Sequence, residues 1–346
     1  MIDALFRASS HFLISHSFSK KEDILNLKQA RFYLLLLVTL TSAPSSYAAT
    51  AFITNQGEHT VSVLDTSTNR VIKTIPVGRA PVGVATSNER VYISNVDSQN
   101  LFVIDAKSQA VVQTVAFPGS PVGMVASPDG KTLYIADWTD DLIYLLNTST
   151  LTIEAKIEVG KAPAGMVVSP DGKKLYIACR DSNDVAVIDT QRLKIDTRIK
   201  VGKHPFGLSL NKDGSQLYAV NVVSNTVSII NTADFSNVAV KVGEHPYCVT
   251  PSKDGLLLYV TNTQDDSVSV IDIAAKKRVN EIKVGQVPEG IQTDLHSGNI
   301  FVANWGSSEV TVIDGKTQKV IHQIKTGEKS RAFGQFIVQD LNSIAK

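Results

Sequence analysis

The clearest repeat unit of the chain is PAGMVVSPDGKKLYIACRDSNDVAVIDTQRLKIDTRIKVG, residues 163–202. They contain four short apolar runs, rich in alternating and β-branched residues, which is the pattern of β-strands. A tight turn, SPDG at residues 169–172, joins the first two runs: proline fixes φ, aspartate bonds locally and glycine accepts a positive φ. The stretch therefore predicts one unit of four strands, here called A to D.

The same unit recurs seven times along the chain. The third strand of the unit ends in "VID" or a near-copy, which returns every 40 to 42 residues. The last residue of this tripeptide in successive units is Asp65, Asp105, Asn147, Asp189, Asn231, Asp272 and Asp314. Four strands per unit at this period predict an all-β fold, a seven-bladed β-propeller of four-stranded blades. We expect this domain to cover residues 49–339, with 340–346 as a C-terminal tail. Because the aspartates of "VID" recur with the blade, we interpret them as turn residues and not as catalytic carboxylates.

The two ends of the repeat predict how the ring closes. The first unit begins with strand B at residues 51–55 and has no strand A before it. The last unit is followed by an extra apolar run, AFGQFIV at residues 332–338. We expect this C-terminal strand to complete the N-terminal blade, which removes the exposed edges of an open ring.

Residues 1–48 have the features of an N-terminal extension with a secretory signal peptide. Lys28 and Arg31 precede a short apolar run at residues 32–40, and small residues follow up to Ala48. Positive residues, a short apolar run and a small-residue cleavage site are the three parts of such a signal. The run is too short to span a bilayer, which needs about 20 residues. We therefore expect cleavage near Ala48, no transmembrane segment in the mature chain, and a periplasmic, secreted or cell-surface protein.

Net charge narrows the possible partners, and the positions of the two cysteines predict their chemical state. The formal net charge is +1, and removal of residues 1–48 leaves it near zero. A near-neutral chain has no general attraction to nucleic acid or anionic lipid. Cys179 and Cys248 occupy different repeat positions two blades apart, so we expect two buried free thiols and no disulfide.

Several quoted stretches resemble a known family. LYIAD at residues 133–137, LYVTN at 258–262, SVSVID at 267–272 and IKVG at 199–202 are similar to the YVTN β-propeller repeat, within which exported YncE-like seven-bladed propellers are the nearest class. The resemblance implies the fold and an exported binding protein. Related folds include lactonases, streptogramin lyases and haem-carrying domains of reductases, so the reaction, if any, is implied weakly.

Positions that differ between the repeats are the candidates for function. Strand A opens with a P-x-G motif, in which Cys248 replaces the glycine of one copy and Ser330, Arg331 and Ala332 replace the whole motif in the closing strand. The middle residue in successive copies is Val82, Val122, Ala164, Phe206, Tyr247, Glu289 and Arg331. The residue before the proline is Ala80, Ser120, Ala162, His204, His245, Val287 and Lys329. Three consecutive copies carry small residues, and the next four carry large, charged or imidazole side chains.

The B–C connections open on the same face of a propeller and add Trp138, Arg180 and Trp305. Convergent polar groups in a partly apolar concavity are the usual mark of a binding site. The ligand-binding residues predicted for this channel mouth are Trp138, Arg180, Phe206, Tyr247, Glu289, Trp305, Lys329 and Arg331. The expected ligand is a protein, an envelope glycan or a small anion, and the expected state is a monomer. Two alternatives stay open: that the aromatic residues cover the core, and that Glu289 and Arg331 form a plain ion pair.

Two other functions remain open from the sequence. A lactonase- or lyase-type enzyme would use His204 or His245 as a base, supported by Glu289 or by a metal held on the two histidines. A cofactor carrier would hold a haem-like ring on one histidine without a covalent link. Aromatic rings interleaved with arginine also suit single-stranded nucleic acid, which the near-neutral charge disfavours. The leading prediction is a binding protein with no catalytic residue, metal or cofactor.

Overall fold

The computed structural model describes residues 49–87 and 89–338, which form seven β-sheets arranged as blades around one axis. The innermost strands of successive blades contact one another all the way round the ring. The predicted seven-bladed β-propeller is therefore confirmed. No helix in this part of the chain is long and apolar enough to cross a membrane. The predicted signal peptide at residues 1–48 and the tail at 340–346 lie outside the described residues.

The strands follow the predicted order A to D in each blade. Blade 1 has β1 (Thr50–Asn55), β2 (Thr60–Asp65) and β3 (Arg70–Pro76). Blade 2 has β4 (Pro81–Ser87), β5 (Arg90–Asn95), β6 (Asn100–Asp105) and β7 (Ala110–Ala116). Blade 3 has β8 (Pro121–Ala126), β9 (Thr132–Asp137), β10 (Leu142–Asn147) and β11 (Thr152–Glu158). Blade 4 has β12 (Pro163–Val168), β13 (Lys174–Cys179), a 3-10 turn (Arg180–Ser182), β14 (Asp184–Asp189) and β15 (Lys194–Lys200).

The remaining blades repeat the arrangement. Blade 5 has β16 (Pro205–Leu210), β17 (Gln216–Asn221), β18 (Thr226–Asn231) and β19 (Asn237–Lys241). Blade 6 has β20 (Pro246–Pro251), β21 (Leu257–Asn262), β22 (Ser267–Asp272) and β23 (Lys277–Lys283). Blade 7 has β24 (Pro288–Thr293), β25 (Ile300–Asn304), β26 (Glu309–Asp314) and β27 (Lys319–Lys325). The chain ends in β28 (Phe333–Gly334) and β29 (Ile337–Val338).

The C-terminal segment closes the ring, but not as one continuous strand. β29 pairs with β1, as predicted, whereas β28 pairs in parallel with β4 of blade 2. Gly334 takes a φ of 113°, and the side-chain oxygen of Gln292 accepts hydrogen bonds from the backbone N–H groups of Phe336 and Ile337 at 2.7 and 2.8 Å. The predicted strand 332–338 is thus bent because a glycine turns it and a blade 7 side chain holds the bend.

The glycine of P-x-G recurs because neighbouring inner strands touch there. A Cβ added at Gly165 would lie 2.3 Å from the carbonyl oxygen of Phe206 on the next blade, and one at Gly83 would lie 2.1 Å from that of Val122. Such distances leave no room for a side chain, so the motif brings the inner strands to close backbone contact. The side chain of the middle residue is then the part that faces the axis.

Two further predictions about structural residues are confirmed. Asp105 accepts hydrogen bonds from the backbone N–H and the hydroxyl of Ser108, each at 2.7 Å, and these bonds lower the pKa of its carboxyl. Equivalent turns cap the other copies, for example at Asp314. Cys179 and Cys248 are buried free thiols. The repeated aspartates are turn residues.

Candidate ligand site at the channel mouth

The residue before each P-x-G proline has a backbone role that the sequence comparison did not reveal. In six of the seven copies it adopts a left-handed conformation, with φ between 49° and 58°; the residues are Ala80, Ala162, His204, His245, Val287 and Lys329. The backbone N–H of His204 donates to Asn183 Oδ1 at 3.0 Å, and that of His245 donates to Asn225 Oδ1 at 3.0 Å. The position is a turn common to the blades, and its side chain is free to vary.

The next position, the middle of P-x-G, fills the axis in half of the ring. The rings of Phe206 and Tyr247 lie 4.2 Å apart between centroids, and Phe333 lies 4.9 Å from Phe206 and 6.0 Å from Tyr247. Trp138 meets Phe206 edge-on at 5.9 Å. Phe206 and Phe333 are only 5% and 3% exposed. We call Phe206, Tyr247 and Phe333 the aromatic plug, because they fill the channel below its mouth.

Phe333 belongs to the plug although it was not among the predicted site residues. Ser330 of the closing segment pairs with Asn55, and Ile337 pairs with Ala51 of β1. Between these two pairs the closing segment is three residues longer than β1. In blade 4, Pro163 pairs with Cys179 and Met166 pairs with Ile177, so strand A is only one residue longer than strand B over this stretch. The extra residues bulge toward the axis and carry Phe333 into it. The missing P-x-G at Ser330, Arg331 and Ala332 was the sequence signal for this irregularity.

Arg331 lies at the centre of the polar contacts above the plug. Its Nε lies 2.6 Å from Glu289 Oε2, and its Nη2 donates to the Tyr247 hydroxyl at 2.7 Å. Its Nη1 donates a long bond of 3.5 Å to Gln56 Oε1, which also accepts the indole N–H of Trp305 at 3.0 Å. The contact with Glu289 joins opposite charges but lacks hydrogen-bond geometry, so Glu289 Oε2 and Arg331 Nε remain without a hydrogen-bond partner. The open alternative of a neighbouring ion pair is therefore correct for Glu289 and Arg331.

Burial controls the protonation of this cluster. Desolvation raises the pKa of Glu289, and the neighbouring Arg331 guanidinium lowers it in part. Desolvation likewise raises the pKa of the Tyr247 phenol, and the Glu289 carboxylate raises it further. Burial also raises the pKa of the Cys248 thiol, with a smaller contribution from Glu289. Tyr247 and Cys248 are therefore neutral at physiological pH, and Tyr247 acts as an acceptor for Arg331.

Cations lie over the two tryptophans on opposite sides of the mouth. The Arg180 guanidinium stands 5.5 Å from the ring centroid of Trp138, between blades 3 and 4. The Lys329 ammonium stands 5.1 Å from that of Trp305, between blades 7 and 1. With Arg331 over Tyr247 at 5.8 Å, these are the three cation–ring contacts within residues 49–87 and 89–338. We define the mouth as Gln56, Trp138, Arg180, Tyr247, Trp305, Lys329 and Arg331. Tyr247 belongs to both the plug and the mouth, and the other six residues lie above the plug.

The histidines lie apart from this centre. His204 Nε2 is 4.0 Å from Asp181 Oδ1, which also accepts from Arg180 at 2.7 Å. His245 Nδ1 is buried without a hydrogen-bond partner. Among the described residues, no hydrogen bond or ion pair joins either histidine to Glu289. Nor does that part of the chain contain a group of three or more His, Cys, Asp or Glu side chains placed to hold a metal ion.

The structure thus brings together a large share of the predicted binding residues. Phe206, Tyr247, Glu289 and Arg331 meet at the axis, Trp138 contacts the plug and Trp305 joins through Gln56. Gln56 holds the position just after strand B that carries Trp138, Arg180 and Trp305 in other copies, and it was missed because a glutamine did not stand out there. Phe206 and Glu289 are buried beneath the mouth, so their contribution is to its floor.

Comparison with known proteins supports the fold. The family model of the seven-bladed β-propeller lactonases matches residues 100–196 and 147–238, from blade 2 to blade 5. This match and the seven blades of the structure together support a β-propeller family. A search of curated proteins finds no matching relative.

Solved structures with a similar fold belong to proteins that have different functions. Hydrazine synthase of Kuenenia stuttgartiensis aligns with a TM-score of 0.69 at 20% identity, over 76% of this chain and 91% of that one. Dihydro-haem d1 dehydrogenase NirN, solved in complex with DHE, aligns with 0.63 at 18%, over 84% of this chain and 66% of that one. Virginiamycin B lyase of Staphylococcus aureus aligns with 0.61 at 16%, over 70% and 83%. At these identities the similarity concerns the fold, which serves many functions.

Proposed function

We propose that this propeller is an exported, non-enzymatic binding protein that captures a small organic anion at the channel mouth. The observation that carries the proposal is the placement of both tryptophans of the chain, each under a cation, on opposite sides of Arg331. Rings and cations in one concavity provide apolar contact and charge recognition together. Export rests on the signal pattern of residues 1–48.

The buried plug favours binding at the mouth over passage through the ring. Phe206 and Phe333 occupy the axis and are almost fully buried. A ligand therefore meets a solid floor, and contacts Trp138, Trp305 and Arg331, which stay partly exposed. A preformed floor of this kind lowers the ordering cost of binding, since its side chains are already fixed.

Untargeted mass spectrometry of compounds released from the purified protein tests the proposal. We expect at least one small anion to co-purify with the wild-type chain and to be depleted from Trp138→Ala/Trp305→Ala. The matched control is Leu256→Ala, because Leu256 is 64% exposed in an A–B turn, at the opposite end of the strands from the mouth. Equal recovery from the wild-type, mouth and control proteins would reject the mouth as the binding site.

A lactone-hydrolysing enzyme is the second candidate. It is favoured by the lactonase family match over residues 100–238 and by the approach of His204 to Asp181, which gives one histidine a carboxylate partner. Hydrolysis of a panel of lactones, followed by acid release, separates the two functions. Turnover that is present in the wild-type protein and abolished in His204→Asn would favour the enzyme over the binding protein.

The cofactor-carrier alternative remains a prediction from the sequence. A haem-like ring absorbs visible light strongly, so the spectrum of the purified protein tests it. An absorption band that disappears in His245→Ala would favour the carrier, whereas a colourless protein that retains a bound anion supports the binding function.

A further inference from the structure

The arrangement of donors on Arg331 limits the chemistry of the ligand. Arginine carries five N–H groups in one planar fork. Glu289 approaches the Nε end, Tyr247 accepts one N–H of Nη2, and Gln56 accepts a long bond from Nη1. One N–H on each Nη is left over, and the side chain keeps 21% of its surface exposed at the mouth. Two N–H groups on one planar guanidinium can be shared by the two oxygens of a carboxylate.

Local charge sets the number of negative charges that the site accepts. Glu289 already balances Arg331 and is itself about nine-tenths buried. A second anion placed on Arg331 lies close to this carboxylate, where repulsion is strong because water is largely excluded. Lys329 and Arg180 add positive charge at the sides of the mouth. The balance suits one negative charge on the ligand better than two.

The rings around Arg331 limit the shape of the ligand body. Tyr247, Trp138 and Trp305 are partly exposed, and each already carries a cation against its ring. Aromatic rings favour offset or edge contacts with other flat groups. These rings therefore favour a flat ligand body above the plug, with its charged end directed to the axis.

We infer that the ligand is an aromatic monocarboxylate whose carboxylate binds the free edge of the Arg331 fork. This inference rests on the proposed binding function and adds the ligand class to it. Arg331 is then the residue that selects for the carboxylate, and Trp138 and Trp305 hold the ring.

Four probes with one ring and different polar groups test the inference: benzoate, benzyl alcohol, benzylamine and phenyl phosphate. Both tryptophans lie at the mouth, so tryptophan emission reports binding there directly. We expect saturable binding of benzoate by emission and calorimetry, and affinity for the other three that is weaker by about tenfold or more. Benzyl alcohol and benzylamine lose the charge-assisted hydrogen bonds, and phenyl phosphate brings a second negative charge close to Glu289. Before titration the protein is unfolded and refolded to release any resident compound.

Two variants locate the effect on Arg331. Arg331→Lys keeps the positive charge beside Glu289 but lacks the fork, and we expect it to weaken benzoate binding about tenfold or more. Lys329→Gln leaves the buried pair untouched and, as an exposed charge, should weaken benzoate a few-fold without changing benzyl alcohol. Leu256→Ala is the control for both. Thermal unfolding verifies that each variant is folded. If Arg331→Lys does not fold, benzoate binding is still compared between wild type and Lys329→Gln.

The outcomes separate this inference from the function on which it rests. Tighter binding of phenyl phosphate than of benzoate, or equal benzoate affinity in folded Arg331→Lys and wild type, overturns the carboxylate assignment. The absence of binding by all four probes overturns it as well. In each of these cases the mouth as a binding site is judged by the co-purification experiment with the tryptophan variants, which does not depend on ligand class.

Discussion

Blades 2 to 4 and blades 5 to 7 place different side chains on the same backbone. At the middle of P-x-G, the first arc has Val82, Val122 and Ala164, whereas the second has Phe206, Tyr247 and Glu289. Both arcs carry the same four strands in the same order in each blade, with β28 added beside the inner strand of blade 2. The difference is therefore not required by the fold. The larger side chains of the second arc fill the axis on that side of the ring. They also place Glu289 and Tyr247 where Arg331, from the closing segment, contacts both.

The pair on the second arc should give the largest effect when it is broken. Arg331→Met leaves the Glu289 carboxylate buried without its partner, and we expect the free energy of unfolding to fall by about 3–5 kcal/mol. Arg331→Met/Glu289→Gln removes both charges and should recover most of this loss. Urea unfolding at neutral pH measures both. Equal losses in the single and double variants would mean that the pair is not coupled.

The two arcs also differ in how closely their inner strands approach at the third position of P-x-G, which is Gly165 in blade 4 and Cys248 in blade 6. Gly165→Cys on the first arc places a Cβ about where the Phe206 carbonyl lies, and overpacking of this kind costs about 1–3 kcal/mol. Cys248→Gly on the second arc removes a buried thiol and should cost about 1 kcal/mol. Thermal unfolding of the two variants tests the difference. A harmless Gly165→Cys would show that the inner strands are less closely packed than described.

A smaller difference is expected from pH. Because desolvation raises the pKa of Glu289 above its ordinary 4.5, the folded state holds this proton more firmly than the unfolded state does. The free energy of unfolding of the wild type relative to Glu289→Gln should rise as pH falls from neutral toward 4.5, by at most about 1.4 kcal/mol per pH unit. Arg331, Tyr247 and Cys248, which face Glu289, do not titrate in this range. Chemical unfolding at several pH values measures the slope, and a constant difference between the two proteins would contradict the shift.

The smallest effect is expected at the turn before the proline. His204→Asn keeps a residue that tolerates φ near 53° and removes the imidazole. We expect stability to stay within about 0.5 kcal/mol and ligand capture to be unchanged. Thermal unfolding and co-purification measure the two. A large loss of capture with normal stability would show that His204 takes part in the function, contrary to our assignment.

The sequence predicts the elements of this molecule that recur, because each copy serves as a control for the others. The P-x-G strands, the turn role of Asp105 and the closure by the C-terminal segment follow from the repeat. Phe333 and Gln56 do not, because their roles depend on where the bent closing segment and the inner strands converge. The left-handed turn at His204 was hidden for a different reason: six different positions share the conformation while their residue types vary.

Tryptophan emission reports whether the unrepeated side chains at the mouth form the binding site, because both tryptophans lie there. The compounds released from wild-type protein are added back to refolded wild type, to Arg331→Lys and to Leu256→Ala, and emission is recorded beside calorimetry. Our account predicts a saturable emission change in wild type and Leu256→Ala that is strongly weakened in Arg331→Lys. Calorimetric binding with unchanged tryptophan emission would place the ligand away from Trp138 and Trp305 and contradict the account.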